Sequence, residues 1–305
     1  MRSELKNLQQ IYLNHIKEKT LPLPRIIHVE TRSKCNAFCN FCPASVNADT
    51  RKDIYMPDEL IARIIDDLSK VNYPNRLSFY NNNEPFLDGR IFQIIKNARE
   101  KIPRAYLELK SNGSILTTES ILKVFNAGLD MLYISYSSDT SKDRSNIEQI
   151  KKDLEKIRRL KGHMEEGVYF TRIKIESRDV NRIMGSRCGY SPNKAYQEKP
   201  QQKMCLRPSE MMTISPEGKV SVCSEDFYYT INMGNIQKEG LINIWRSIAW
   251  DETRYKLLGG KRDYHQACSK CDYKGFTYEM LKENGLYRKP FSLRLKKSIK
   301  MLIKG

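Results

Sequence analysis

No run of apolar residues in the 305-residue chain approaches the ~18 needed to cross a bilayer, so any membrane contact is peripheral. The start of the chain, Met1-Arg-Ser-Glu-Leu-Lys6, has no apolar signal core and leads into a helix-like stretch with Leu5, Leu8, Ile11, Tyr12 and Ile16 on one side. Export is therefore not expected, and the cytoplasm is. Acids are outnumbered, 36 against 53 basic residues, which leaves a formal charge of +17. That charge supplies affinity for phosphate, yet no RNA-binding module accompanies it, so nucleic acid is not the expected partner. A hydrophobic content of 40% excludes a disordered chain and suffices for one sizeable core with a smaller appendage.

Cysteine is abundant by contrast, with eight residues, and without export this favours metal ligation over disulfides. Cys35, Cys39 and Cys42 fall within eight residues, directly after the apolar strand pattern Arg25-Ile-Ile-His-Val-Glu30. Three thiolates hold three corners of a [4Fe–4S] cube and leave the fourth iron open to a ligand from outside the protein. Structural zinc prefers a closed set of four ligands, and His28, the nearest imidazole, lies on the strand itself.

Residues 25–30, 76–80, 105–110, 131–136 and 168–175 read as buried strands with helical periodicity between them. The helix near 57–71 opens at Pro57 and carries Leu60, Ile64, Leu68 and Val71, and the helix near 119–127 is closed by Gly128. Repeated βα units imply a parallel sheet. Because a polar stretch follows at 176–200, the expected fold is α/β, a partial (open) TIM-type βα barrel of about five to six strands followed by a small α+β domain. Ligands gather at the carboxyl ends of such strands, which is where the three-cysteine loop falls.

With Phe41 just before its last cysteine, this loop resembles that of the radical S-adenosylmethionine (SAM) superfamily. The resemblance implies that the open iron binds SAM and that the reduced cluster cleaves it to a 5′-deoxyadenosyl radical, which abstracts hydrogen from substrate. Tyr80-Asn-Asn-Asn83-Glu84-Pro85 lies where the family has a glycine-rich segment that binds the SAM amino group; Glu84 and Pro85 keep the pattern and the glycines are absent. Ser111 and Asn112 after strand three, and Ser135 after strand four, correspond to ribose or carboxylate contacts, and Arg144 to a carboxylate-pairing arginine. Each also fits an ordinary turn or a solvated helix start.

Cys205, Cys223, Cys268 and Cys271 form a second, closed set, with Gly218 in a hairpin turn before Cys223. Together with Met211-Met-Thr-Ile-Ser215, Met233-Gly-Asn-Ile236 and Trp245 they resemble the SPASM/twitch domain of the same superfamily. No cysteine follows Cys271, so the shorter twitch form is implied, with one auxiliary [4Fe–4S] cluster. A Cys₄ set in distant pairs also suits zinc. The implied organisation is an N-terminal helix at 1–24, a partial barrel at 25–200, the twitch domain at 201–285 and a basic amphipathic tail at 286–305.

A fully ligated auxiliary cluster accepts or relays an electron. Hydrogen abstraction beside a hydroxyl, loss of the hydroxyl proton and transfer of one electron to that cluster together make a ketone. The ligand spacing resembles that of truncated-barrel oxidases of aminocyclitol alcohols, so the implied activity is dehydrogenation of a sugar- or cyclitol-like molecule. Glu225 falls where a substrate-binding acid is expected. Cys188 belongs to neither set, and as a hydrogen-atom donor it would make the enzyme an epimerase. Maturation of a ribosomal peptide is the remaining alternative.

Between Arg288 and Lys304 there is no acid, and Phe291, Leu295, Ile299, Leu302 and Ile303 share one helical face. Such a segment suits peripheral contact with the inner membrane surface and a lipid-linked saccharide substrate; a frayed basic tail fits the same residues. A flavodoxin- or ferredoxin-type donor suits a basic face.

Overall fold

In the computed structural model, residues 2–137, 141–161 and 172–273 are described; the basic tail lies outside them. Six parallel strands, β1 (Ile26–Val29), β2 (Arg76–Ser78), β3 (Tyr106–Ser111), β4 (Met131–Ser137), β5 (Ile173–Arg178) and β6 (Met211–Ile214), are joined by an antiparallel β7 (Val220–Ser221). The order β5-β4-β3-β2-β1-β6-β7 leaves the sheet open. The barrel is therefore partial, as expected. The hairpin made by β6 and β7 extends the same sheet beyond β1 rather than standing in a sheet of its own. Gly218 turns that hairpin at φ 77°, and a Cβ there would meet Asn235 Oδ1 at 3.0 Å.

Helices pack on one face only. α2 (Asp58–Lys70) buries Leu60, Ile61, Ile64, Ile65 and Leu68, a helical stripe with acids in the first turn and a lysine in the last. α3 (Ile91–Lys101) buries Ile91, Ile94, Ile95 and Ala98. α4 (Thr118–Asn126) starts in a capping box between Thr117 and Ser120 and stops before Gly128 at φ 106°. These faces meet Ile27, Leu77, Leu107 and Leu132, all fully buried, and the first three stand in register across β1, β2 and β3.

The alternate strand positions are polar. His28, Ser78 and Glu108 share one register row, while Tyr133 pairs with Lys174, Ser135 with Glu176 and Ser137 with Arg178. Contacts confirm a shared face: Arg76 meets Glu108 at 3.2 Å, Tyr80 Oη donates to Glu108 at 3.0 Å, and Lys110 meets Glu176 at 3.7 Å. Barrels of this kind are usually filled inside by branched apolar residues. This lumen is instead lined with hydrogen-bonding groups, which fits it to a polar occupant.

Four further helices flank this core. α1 (Arg2–Lys17) precedes the sheet and packs on α7 (Ile248–Leu258), while α6 (Leu241–Trp245) lies against α2. α5 (Ser141–Lys161) covers β4. Among the described residues no helix is long and apolar enough to cross a membrane.

Candidate active site

At the carboxyl end of β1 the chain enters the cysteine loop, and the ends of β2, β3 and β5 close round it. Together they line a cavity with about 790 Å³ of empty space, whose wall includes Cys35, Cys39 and Cys42 from the loop. Asn83 and Glu84 join them from the β2 end, Ser111 and Asn112 from the β3 end, and Arg178 from β5. Burial pushes the Cys35 thiol up to about 12, so metal binding there must displace a proton.

Glu84 organises the turn. Its carboxylate accepts from Phe86 N at 3.2 Å, Ser111 Oγ at 2.9 Å and Asn112 N at 2.7 Å. Burial outweighs these bonds and raises its pKa to about 7. Asn112 Nδ2 lies 3.7 Å from Cys35 Sγ and donates to Asn36 at 2.7 Å, fastening the β3 end to the cysteine loop. In place of glycines, Asn83 Oδ1 accepts from Asn81 N at 3.0 Å, and Asn82 Oδ1 accepts from Arg187.

Beneath the loop, Arg51 bridges Glu30 at 2.9 Å, Asp49 at 3.0 Å and the carbonyl of Asn82 at 2.9 Å. Tyr229 donates to the other Glu30 oxygen at 2.8 Å and accepts from Asn81 Nδ2 at 2.9 Å. Burial raises the Glu30 pKa even against Arg51. These residues tie β1, the cysteine loop, the β2 end and the C-terminal region into one network.

A second cavity is lined by Cys205, Cys223, Cys268 and Cys271, and also by Cys188, Arg207, Glu225 and Arg262. Burial pushes Cys223 up to about 12 and raises Cys205 and Cys268. Cys188 and Cys271 act on each other, which lowers one thiol, Cys271, and with burial pushes the other up. Burial alone would raise Glu225, but the guanidiniums of Arg207, at 3.0 Å, and Arg187, at 3.9 Å, outweigh it and keep the carboxyl below its usual value.

The residues fit the groups that the sequence implies. Among the described residues no three His, Cys, Asp or Glu side chains converge on a point that would hold a single metal ion. Thiols spread round a void match a polynuclear cluster better than one zinc. On the first wall, Nδ2 of Asn83 and Nε of Arg178 and Arg187 are buried without a hydrogen-bond partner, donors that await a polar ligand.

Three expected contacts stand elsewhere. Phe41 is buried behind the wall, its ring 5.4 Å from the Arg178 guanidinium and its carbonyl accepting from Ser191 Oγ at 3.0 Å. Ser135 is buried within β4, off the cavity lining, and Arg144 is exposed on α5. Lys110, Arg178 and Arg187 were not foreseen. A strand-end position was the available signal for Lys110 and Arg178; Arg187 had none, lying in an irregular stretch.

Arg187 joins the two cavities. It lines the first, while Cys188 beside it lines the second. Both adopt left-handed backbone, at φ 50° and 57°, rare for two successive residues other than glycine and held here by the packing around them.

Comparison with known proteins agrees with this layout. Residues 29–170 match the radical SAM superfamily and residues 205–272 match SPASM, an iron–sulfur cluster-binding domain. Over 250 residues the chain is 26% identical to the S-adenosyl-L-methionine-dependent 2-deoxy-scyllo-inosamine dehydrogenase of Niallia circulans, covering 81% of this chain and 92% of that protein. Over 111 residues it is 25% identical to a tungsten-containing aldehyde ferredoxin oxidoreductase cofactor-modifying protein of Pyrococcus furiosus, covering 36% and 30% of the two chains. A crystal structure of BtrN in complex with AdoMet and 2-DOIA superposes with a TM-score of 0.68 at 23% identity, covering 82% of this chain and 94% of that one.

Proposed function

We propose that this chain, a radical SAM enzyme with a C-terminal SPASM domain, dehydrogenates a hydroxyl-bearing small molecule of the sugar or cyclitol type held between its two thiol-lined cavities. The observation that carries the proposal is their adjacency at Arg187 and Cys188. When bound, SAM and the two clusters would supply a hydrogen-abstracting radical and a one-electron acceptor, which together with a proton acceptor turn an alcohol into a ketone. The similarity to a cyclitol dehydrogenase supports the same substrate class.

Cys35, Cys39 and Cys42 would hold the SAM-binding cluster, and Cys205, Cys223, Cys268 and Cys271 the auxiliary one. Glu84, set in place by Ser111 and Asn112, would take the SAM ammonium, and the unpartnered Nδ2 of Asn83 would donate to a SAM oxygen. Arg178 takes the SAM carboxylate, the role expected of Arg144. Glu225, ionised between two guanidiniums, accepts a hydrogen bond from the substrate hydroxyl and orients it. Cys188 lines the same cavity as the four auxiliary thiols, which suits a thiol that tunes that cluster better than one that quenches a substrate radical. An acidic flavodoxin- or ferredoxin-type donor matches the charge of +17.

The test uses anaerobically reconstituted protein. About eight irons per chain are expected for two cubes. With SAM, dithionite and a panel of polyols, one compound should accelerate 5′-deoxyadenosine release and lose two hydrogens. Uptake of a solvent hydrogen without net oxidation would instead establish epimerisation.

A further inference from the structure

The first cavity is more positive than SAM requires. Its wall carries Lys110, Arg178 and Arg187 against one carboxylate, Glu84, which is already engaged by three donors. Lys110 has Glu176 at 3.7 Å, but these side chains are 43% and 64% exposed, so water screens the pair. Arg178 lies over the Phe41 ring, and among the described residues no carboxylate pairs with it. Arg187 reaches Glu225 only at 3.9 Å, and Arg207 holds that carboxylate more closely at 3.0 Å.

Deeper in, the positive excess persists. The charges of Arg76, Arg207 and Arg187 all act on the buried His28. Of these, Arg76 is matched by Glu108 and Arg207 by Glu225, and Arg187 is left over. A cube on three thiolates and a bound SAM carry net charges of opposite sign and similar size, so together they do not remove the excess. Arg178 would hold the SAM carboxylate. Lys110 and Arg187 remain, and Arg187 sits at the seam between the cavities where the substrate must lie.

We propose that the substrate is an anion, a polyol bearing a phosphate ester or a carboxylate, whose acidic group is bound by the Arg187 guanidinium with Lys110 adding to the field. This rests on the dehydrogenase reading and narrows its substrate class. A guanidinium presents paired donors in the geometry of a phosphate or carboxylate edge, and the buried Nε of Arg187 makes no hydrogen bond, with Glu225 no closer than 3.9 Å.

Calorimetric titration of the SAM-loaded holoenzyme tests it, with myo-inositol 1-phosphate, glucuronate, myo-inositol and 2-deoxy-scyllo-inosamine as probes. The phosphate ester or the carboxylate should bind at least about tenfold more tightly than neutral myo-inositol, and less so as salt is raised. Arg187→Gln should erase that advantage and Arg187→Lys should keep part of it, with iron content and SAM titration reporting that each variant is folded. Preference for the ester alone, or for the carboxylate alone, assigns the acidic group. Equal or tighter binding of the neutral or amine-bearing cyclitol overturns the proposal, as does an anion preference that survives Arg187→Gln. Turnover separates the two readings. Oxidation of a neutral cyclitol at full rate retires the anion and leaves the dehydrogenase, whereas 5′-deoxyadenosine release with every probe unoxidised retires the dehydrogenase itself.

Discussion

His28 shows what one buried residue costs and what it reports. Burial, reinforced by Arg76, lowers its pKa to about 3, and Nδ1–H donates to the Tyr80 carbonyl at 3.0 Å, so the ring stays neutral with Nε2 as an acceptor. An unfolded imidazole takes up a proton below about pH 6.5, which the folded one refuses until about pH 3. The unfolded state therefore binds more protons across that window, and stability falls as pH drops through it, by up to roughly 1.4 kcal/mol per pH unit. His28→Gln should flatten the slope, read from urea midpoints at pH 5 and pH 8; an unchanged slope would assign it to other groups. Arg51 makes the opposite case, because removing it strands the buried Glu30 carboxylate. Arg51→Ala should cost about 3–5 kcal/mol, and Glu30→Gln in the same chain should recover part of that. The seven cysteines of the two expected sets, which line the two cavities, were legible in the sequence, the first set by its close spacing and the second by its pairs. Arg51 and Arg187 were not, since a basic residue in a loop or an irregular stretch carries no mark of what the fold brings to it.

At the scale of elements, the stretch from 176 to 200 resisted reading because it has no periodicity; its first three residues belong to β5, and the order of the rest comes from other segments. Asn40 N donates to the Val180 carbonyl at 3.0 Å, Ser191 Oγ to that of Phe41 at 3.0 Å, and Ser186 N to Asp272 Oδ1 at 2.8 Å. One irregular segment thus fastens the three-cysteine loop to the pair Cys268 and Cys271, and sets Arg187 between them. The strands at 25–30, 76–80, 105–110 and 131–136 and the helices near 57–71 and 119–127, whose order is written in side-chain alternation, were placed from sequence to within a few residues; of the strand expected at 168–175, residues 168–171 lie outside the described residues, and β5 spans Ile173–Arg178. Asp272 also pairs with Lys194 at 2.5 Å, so Asp272→Ala removes two anchors of the segment at once. The expected cost is about 1–3 kcal/mol, with cleavage by a protease between 179 and 200 accelerated while α2 and α3 stay protected. Cleavage spread evenly over the chain would mean that the segment is not a separate unit of stability.

For the whole molecule, the decisive pairing is the one that sequence pattern could least reveal. β1 and β6 are far apart in the chain, and nothing in Ile26–Val29 or Met211–Ile214 marks them as neighbours, yet they pair over four residues. The strand that feeds the three-cysteine loop is thereby held by β2 on one side and by the C-terminal region on the other. Arg25 N donates to the Glu210 carbonyl at 2.8 Å and Trp245 Nε1 to that of Pro22 at 3.0 Å, which extends the same seam. The small domain expected after the partial barrel is thus joined to it through one sheet. Were the two regions independent, a chain ending at residue 203 would fold and keep about four irons on Cys35, Cys39 and Cys42. With β1 turned into an unprotected edge and Tyr229 removed from Glu30, that fragment should instead aggregate and hold almost no iron. Iron and sulfide analysis after anaerobic reconstitution, beside the full chain, decides between these outcomes. A soluble fragment with one intact cluster would show that the β1 to β6 seam adds to the fold without supporting the first cluster.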